Sequence, residues 1–330
     1  MSNPRSSPKG KSGNTNRPVT PHGHTVNQAA SSAHAKKSPP VRYETSQGKG
    51  QLRRQQTAQA AQRRRIQLIL GTLGAVVMII GIFIVIANTA GAGTSDGSIG
   101  AVAPVNVVKA LTTVPPSVLS AVKTGGLANP FQATSGHPPL ITDSQGKPIV
   151  FYAGGDFCPF CAAERWSMIV ALSRFGTFGN LHLMESSSSD SYPNTNTFTF
   201  VDSTYTSKYL AFQPVETMDR AGQPLQTFTA DQQQWFNTYD SPPYTSAAAQ
   251  KGIPFISFGN QYLTMSSGFL PDVLAGQSWQ SIASGLSDPT NPATIAIVGN
   301  ANYLTAGVCQ LTQQQPASVC KTVPITAIQP

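Results

Sequence analysis

The four cysteines of this 330-residue chain form two pairs of different spacing: Cys158-Pro-Phe-Cys161, and Cys309 with Cys320 near the other end. Two cysteines three residues apart can exchange with the disulfide of another protein. One sulfur attacks as the thiolate and the second resolves the mixed disulfide. The same spacing also fits an inert structural disulfide or half of a zinc site. Zinc asks for a second ligand pair at short spacing, whereas Cys309 and Cys320 are separated by ten residues and have no nearby His. No metal is therefore expected, and exchange needs no bound cofactor. Cys309 and Cys320 read as a structural disulfide that pins the C-terminus, with a second redox pair as the alternative.

The elements around Cys158 decide what its sulfur can do. Pro148 to Ala153 (PIVFYA) is apolar and rich in β-branched and aromatic residues, so a buried strand is expected. Gly154-Gly155-Asp156-Phe157 ends it. After Cys161, Trp166, Ile169, Val170, Leu172 and Phe175 recur at helical spacing, and Gly176 and Gly179 stop the pattern. Cys158 thus falls in the first turn of a helix, where unpaired N–H groups and the helix dipole favour an anion. A thiolate in that position has a lowered pKa and is the attacking sulfur. Pro159 suits a helix start, and Cys161 shares the face and resolves. Glu164 and Arg165 read as the solvated side of this helix, or Glu164 as a proton acceptor for Cys161. Asp156 would oppose the thiolate if it lay close to it. His182 reads as structural.

Further on, Leu181 to Met184 reads as a strand, and TFTFVDSTYTSKYLAF alternates like extended structure. Residues 229–239 read as a helix with Thr229 as N-cap and Asp231 in the first turn. Trp235, Phe236, Tyr239 and Tyr244 either line a peptide groove or form core. Lys251-Gly-Ile-Pro254 opens a strand at 255–258, which pairs with 261–265. Helices follow at 278–285 and from about 290 to 312.

Charge is unevenly spread. Residues 1–65 hold thirteen of the 22 Lys and Arg but one of the 14 acids, leaving +12 there and −4 on the remainder. The basic charge belongs to a tail rich in Ser, Pro, Gly and Gln, which reads as disordered. It does not belong to a folded basic face, and no nucleic-acid partner is expected. Ile66 to Ala87 is 22 uncharged residues, about 33 Å as a helix, enough for one transmembrane span. Arg63, Arg64 and Arg65 abut its N-terminal end, which puts the tail in the cytoplasm and the C-terminal part outside. Residues 88–103 read as a flexible linker, and the body begins at about 104.

The stretch Gly155-Asp-Phe-Cys-Pro-Phe-Cys-Ala-Ala-Glu-Arg-Trp166, followed by Ala171-Leu-Ser-Arg-Phe-Gly-Thr-Phe178, resembles a prokaryotic membrane-anchored family. That family is described as domain of unknown function 929 and is thioredoxin-like in sequence. The resemblance covers roughly residues 104–330. It takes in Thr197-Phe-Thr-Phe200, Tyr205-Thr-Ser-Lys-Tyr209, Gly252-Ile-Pro254, and Val308-Cys-Gln-Leu-Thr312 with Gln315-Pro-Ala-Ser-Val-Cys320. It implies an α/β thioredoxin-like domain with a partly helical insertion at about 186–250, and makes Leu181 to Met184 the second strand of that fold. It also makes Pro254 the cis-proline beside the cysteines, which leaves the preceding backbone free to pair with an extended substrate.

The resulting expectation is a membrane-anchored, extracytoplasmic thiol–disulfide oxidoreductase with Cys158, Cys161 and Pro254 as catalytic residues. Its partners would be exported proteins carrying thiols or disulfides, the lipid bilayer, and a membrane redox partner. The alternative is a non-catalytic thioredoxin-like binding or assembly module whose cysteines are structural disulfides.

Overall fold

A computed structural model of the chain describes residues 97–330. The expected tail at 1–65, the expected span at 66–87 and the linker up to residue 96 lie outside the described residues. Among the described residues, no single helix is long and apolar enough to cross a membrane.

The PIVFYA run forms β2 (Ile149–Gly154), every residue of which is buried. It pairs in parallel with β7 (Ala211–Glu216) and antiparallel with β8 (Phe255–Phe258). β8 pairs antiparallel with β9 (Tyr262–Thr264), which carries the two-residue β1 (Gln132–Ala133). The sheet is mixed and five-stranded, in the order β1-β9-β8-β2-β7. Side chains alternate across it. Val150, Tyr152, Ile256 and Phe258 enter one apolar cluster, while Ile149, Phe151, Ala153 and Phe255 enter another. Both faces are covered, so β2 reads as a continuous apolar run without polar alternation.

On the first face lie α3 (Pro159–Leu172) and α6 (Pro292–Leu311), bridged by the Ser167 hydroxyl donating to the Ile297 carbonyl at 3.0 Å. The Asn291 side-chain oxygen caps α6 by accepting from the N–H groups of Ala293 and Thr294, and Pro292 opens it. The shorter α1 (Val105–Thr112), α2 (Pro116–Val122) and α5 (Trp279–Gly285) extend this layer. Gly299 lets α6 come close to the end of α2: a Cβ there would stand 2.7 Å from the Thr124 carbonyl oxygen.

On the second face lies α4 (Ala230–Tyr239), started by the Thr229 cap with a reciprocal Gln232 contact. Phe236 is buried, and Trp235, Tyr239 and Tyr244 pack with it against Ile149, Phe151 and Phe255. Of the two readings of these aromatics, packing against the sheet is the one observed.

One expectation is corrected. Leu181 to Met184 is not a strand of the central sheet: β4 (His182–Glu185) pairs with β5 (Asn196–Thr199) in a separate two-stranded sheet. This small sheet leans on α3, where Trp166 Nε1 donates to the Asn196 carbonyl and Thr197 Oγ1 to the Ala162 carbonyl, each at 2.8 Å. A second small sheet pairs β3 (Gly176–Gly179) with β6 (Thr204–Ser207). The parallel neighbour of β2 is β7, from within the stretch 186–250 that the sequence sets apart as an insertion. Pro214 argues against a strand there, but β7 ends the strand order, and an edge strand tolerates a missing N–H.

Cys309, on α6, is bonded to Cys320, on the short α7 (Ala317–Cys320), and both are buried. The bridge spans a sequence separation of 11. Chain-entropy reasoning for a loop of that size gives a stabilisation of about 3 kcal/mol. Replacing both cysteines by Ser should therefore lower the denaturant midpoint by the equivalent amount. An unchanged midpoint would show that the C-terminal segment is held without the bond.

Candidate functional site

Cys158 is the N-cap of α3, and its backbone is extended where the helix begins. Its Sγ accepts the N–H of Cys161 at 3.2 Å, so the sulfur satisfies one of the helix's unpaired donors. The same Sγ lies 3.7 Å from the Ile253 carbonyl oxygen, and the Ile253–Pro254 peptide is cis. Cys158, Cys161 and the Ile253–Pro254 turn are thereby brought to one place. Cys309 and Cys320 are bonded to each other at the C-terminal end of α6.

The two thiols are free but not equivalent. Both are buried, Cys158 at 5% exposure and Cys161 with none, so Cys158 is the less enclosed of the two. The hydrogen bond from the Cys161 side chain lowers the Cys158 pKa, and burial opposes it. The N–H groups of Cys161 and Phe160 and the Arg165 charge add to the lowering. Burial, and then the neighbouring Cys158 sulfur, push the Cys161 thiol well above the usual range. Phe160, which precedes Cys161 in the chain, is half-buried and edge-on to Tyr192 with ring centroids 5.7 Å apart.

The charges beneath the pair lie where the sequence does not announce them. Arg165 and Glu164 are both fully buried, so the solvated-side reading is corrected. Every residue of α3 except Phe160 is buried, which leaves no solvated side for them to occupy. Arg165 grips Glu216 at the end of β7 with two hydrogen bonds, Nε to Oε1 at 2.8 Å and Nη2 to Oε2 at 2.7 Å. Nη2 also donates to the Gly155 carbonyl at 2.8 Å and reaches Asp156 Oδ1 at 3.4 Å. Burial alone would pull the Arg165 pKa down; the Glu216 carboxylate reverses this and keeps it charged. Asp156 engages Arg165, and its carboxyl is pushed up to about 6, chiefly by burial. It also lines an open groove with Ile99, His182, Met184 and Arg220.

Glu164 points to a different place. Its carboxylate accepts from the Gly268 N–H at 3.1 Å and from Asn300 Nδ2 at 2.8 Å, tying α3 to α6. It therefore serves helix packing, and the alternative of a proton acceptor for Cys161 finds no contact to support it. Burial raises its pKa to about 7, against 4.5 for a free carboxyl.

A family model matches residues 140–310, spanning the cysteine motif, four of the five strands of the central sheet and most of α6. The chain belongs to the family described as domain of unknown function 929, DUF929. No curated protein and no solved structure matches it. The DUF929 match begins nine residues before β2 and ends one residue after Cys309, so it includes every residue of the site.

The Glu164 contacts generate a pH dependence. Its folded pKa is raised, so the fold favours the neutral acid. The stability this contributes is full below pH 4.5, falls as pH rises to about 7, and is flat above. A shift of that size corresponds to about 3 kcal/mol. Denaturant midpoints across this range should fall in the parent chain and fall less steeply in Glu164→Gln, where Asp156 and Asp240, each pushed up to about 6 by burial, still titrate. A slope unchanged by the substitution would assign the titration to another group.

Proposed function

We propose that the DUF929 domain is thioredoxin-like and exchanges thiols with the disulfides of exported proteins, on the outer side of a membrane to which the chain is anchored. The observation that carries this reading is the placement of the Cys158 sulfur on the opening N–H groups of α3, three residues from a second free thiol. Those N–H groups and the helix dipole favour an anion, and the thiolate is the nucleophile of exchange. Supporting it, the cysteine helix follows directly on β2, and β2 lies between a parallel and an antiparallel neighbour. Ile253, ahead of Pro254, offers main-chain groups beside the sulfur to an extended substrate. The anchor and its orientation rest on the uncharged run Ile66 to Ala87 and the arginines before it.

The chemistry needs two sulfurs and no bound cofactor. The Cys158 thiolate attacks one sulfur of a substrate disulfide and expels the other, which takes up a proton. Cys161 then gives up its proton and attacks Cys158, expelling the second substrate sulfur as a thiolate. Two electrons have passed to the substrate and a Cys158–Cys161 disulfide remains, to be reduced by a membrane redox partner. Run in reverse, the same steps oxidise a substrate dithiol. The deep burial of Cys161 suits a resolving sulfur that meets no partner but Cys158.

A second reading draws on that same burial. With Cys158 only 5% exposed, a non-catalytic binding or assembly module with inert cysteines would look similar. Replacing Cys161 by Ala separates the two. Under the exchange reading, Cys161→Ala accumulates mixed disulfides between Cys158 and exported proteins in native membranes, visible as reductant-sensitive adducts on non-reducing gels. Their absence, with Cys158 resistant to alkylation, would leave the binding module standing.

A further inference from the structure

Arg165 lies two helical turns beyond Cys158 on the same helix and exposes no surface. Its guanidinium has four points of attachment: both carboxylate oxygens of Glu216, the Gly155 carbonyl and Asp156 Oδ1. The Gly155 carbonyl also accepts the Cys158 N–H at 3.2 Å, so one oxygen joins the guanidinium to the residue that carries the sulfur. Arg165 Nη1 and the hydroxyl of fully buried Tyr152 have no hydrogen-bond partner. A buried ion pair is weak evidence for stability, since apolar side chains of similar volume often serve as well. This one holds a permanent positive charge near an atom that must become negative to react. A fixed charge aimed at a developing charge in a dry site acts with little screening.

We propose that Arg165 is a positioning residue for the exchange chemistry: it braces the Gly155 carbonyl that seats Cys158 and supplies the buried positive charge that favours the thiolate, while Glu216 and Asp156 set how much of that charge the sulfurs feel. The inference rests on the exchange reading of Cys158 and Cys161. The facing groups are Cys161 and Arg165 on α3, Tyr152 on β2, Glu216 on β7 and Asp156 in the loop between β2 and α3. Arg165 favours the thiolate at both cysteines, and Glu216 opposes it at Cys161. Asp156 is the member of the cluster that lines the groove. Favouring the Cys158 thiolate stabilises the reduced pair over its disulfide, which makes the pair a stronger oxidant.

Two variants of the full chain in detergent test this in opposite directions. The double variant Arg165→Met with Glu216→Gln removes both members of the bidentate pair together and leaves Asp156 as the one carboxyl of the cluster, without its cation. It should raise the apparent Cys158 pKa, read by ultraviolet thiolate absorbance, by about one unit, and shift the glutathione equilibrium toward the disulfide by about tenfold. Asp156→Asn leaves Arg165 with one counter-charge fewer. Above a pH of about 6, where Asp156 is ionised, it should move both readouts the other way, by a smaller amount. A merely structural cluster would change the thermal midpoint and leave both readouts within about twofold, and that result overturns the proposal. If the double variant does not fold, Asp156→Asn decides alone, and an unshifted titration is the negative answer. If the parent pair never equilibrates with glutathione, the exchange reading fails, while the thiolate titration still reports on Arg165.

Discussion

A guanidinium shut away from water has to find its partners inside the protein, and the requirements of Arg165 run through the centre of this fold. Its two bonds to Glu216 need β7 beside β2 in the parallel register that sets Glu216 opposite Gly154. Its bond to Gly155 needs the chain to leave β2 in a tight loop and turn straight into α3. The hydrogen bonds from the Thr217 N–H at 2.8 Å and its hydroxyl at 2.9 Å to the Gly154 carbonyl reinforce the same corner. Strand, loop, helix and edge strand are locked together at one charged group. Leaving one buried partner of such a pair without the other costs several kcal/mol, so the register and the charge specify each other.

The rest of the core follows from covering β2 on both faces. The strand is buried throughout, so each side chain needs an apolar layer above or below it. α3 and α6 provide one layer and the capped α4 provides the other. α3 carries a double burden, since it packs against the sheet, α6 and the β4–β5 ribbon together. Only Phe160, in its opening turn, is left partly exposed. Phe160 precedes Cys161 in the chain and packs edge-on to Tyr192.

Much of this was legible in the residues. The apolar run of β2, the Thr229 cap, the helix starts near 278 and 290 and the place of Cys158 at a helix opening all express local physics: burial, capping and dipole. What escaped reading depended on tertiary context. β7 reads as extended only as far as Phe212 and within an insertion, because its place beside β2 depends on a strand order that local residues do not encode. Glu164 and Arg165 looked solvated because charge ordinarily means exposure. A signal was present all the same. Adjacent residues on a helix point about 100° apart, and this helix has apolar residues all round. The two charges therefore pointed in different directions, and neither direction was free of apolar neighbours. Glu216 gave no such hint, because a carboxylate closing a strand is unremarkable until its partner is known.

The cysteines end up unequal for reasons that trace to position along a single helix. The N-cap residue lies outside the helical ladder, so its side chain can turn back and accept the N–H groups of the first turn. The residue three further on lies inside the ladder with its own N–H already committed to that sulfur. The cap is open to an anion and slightly exposed, while the interior position is dry. Burial then acts on the two thiols with different force. At Cys158 it is offset by the Cys161 side chain, two N–H groups and a cation, and at Cys161 it prevails. The inequality of the two thiols thus comes from where a helix starts, and the buried cation below acts on both in the same direction.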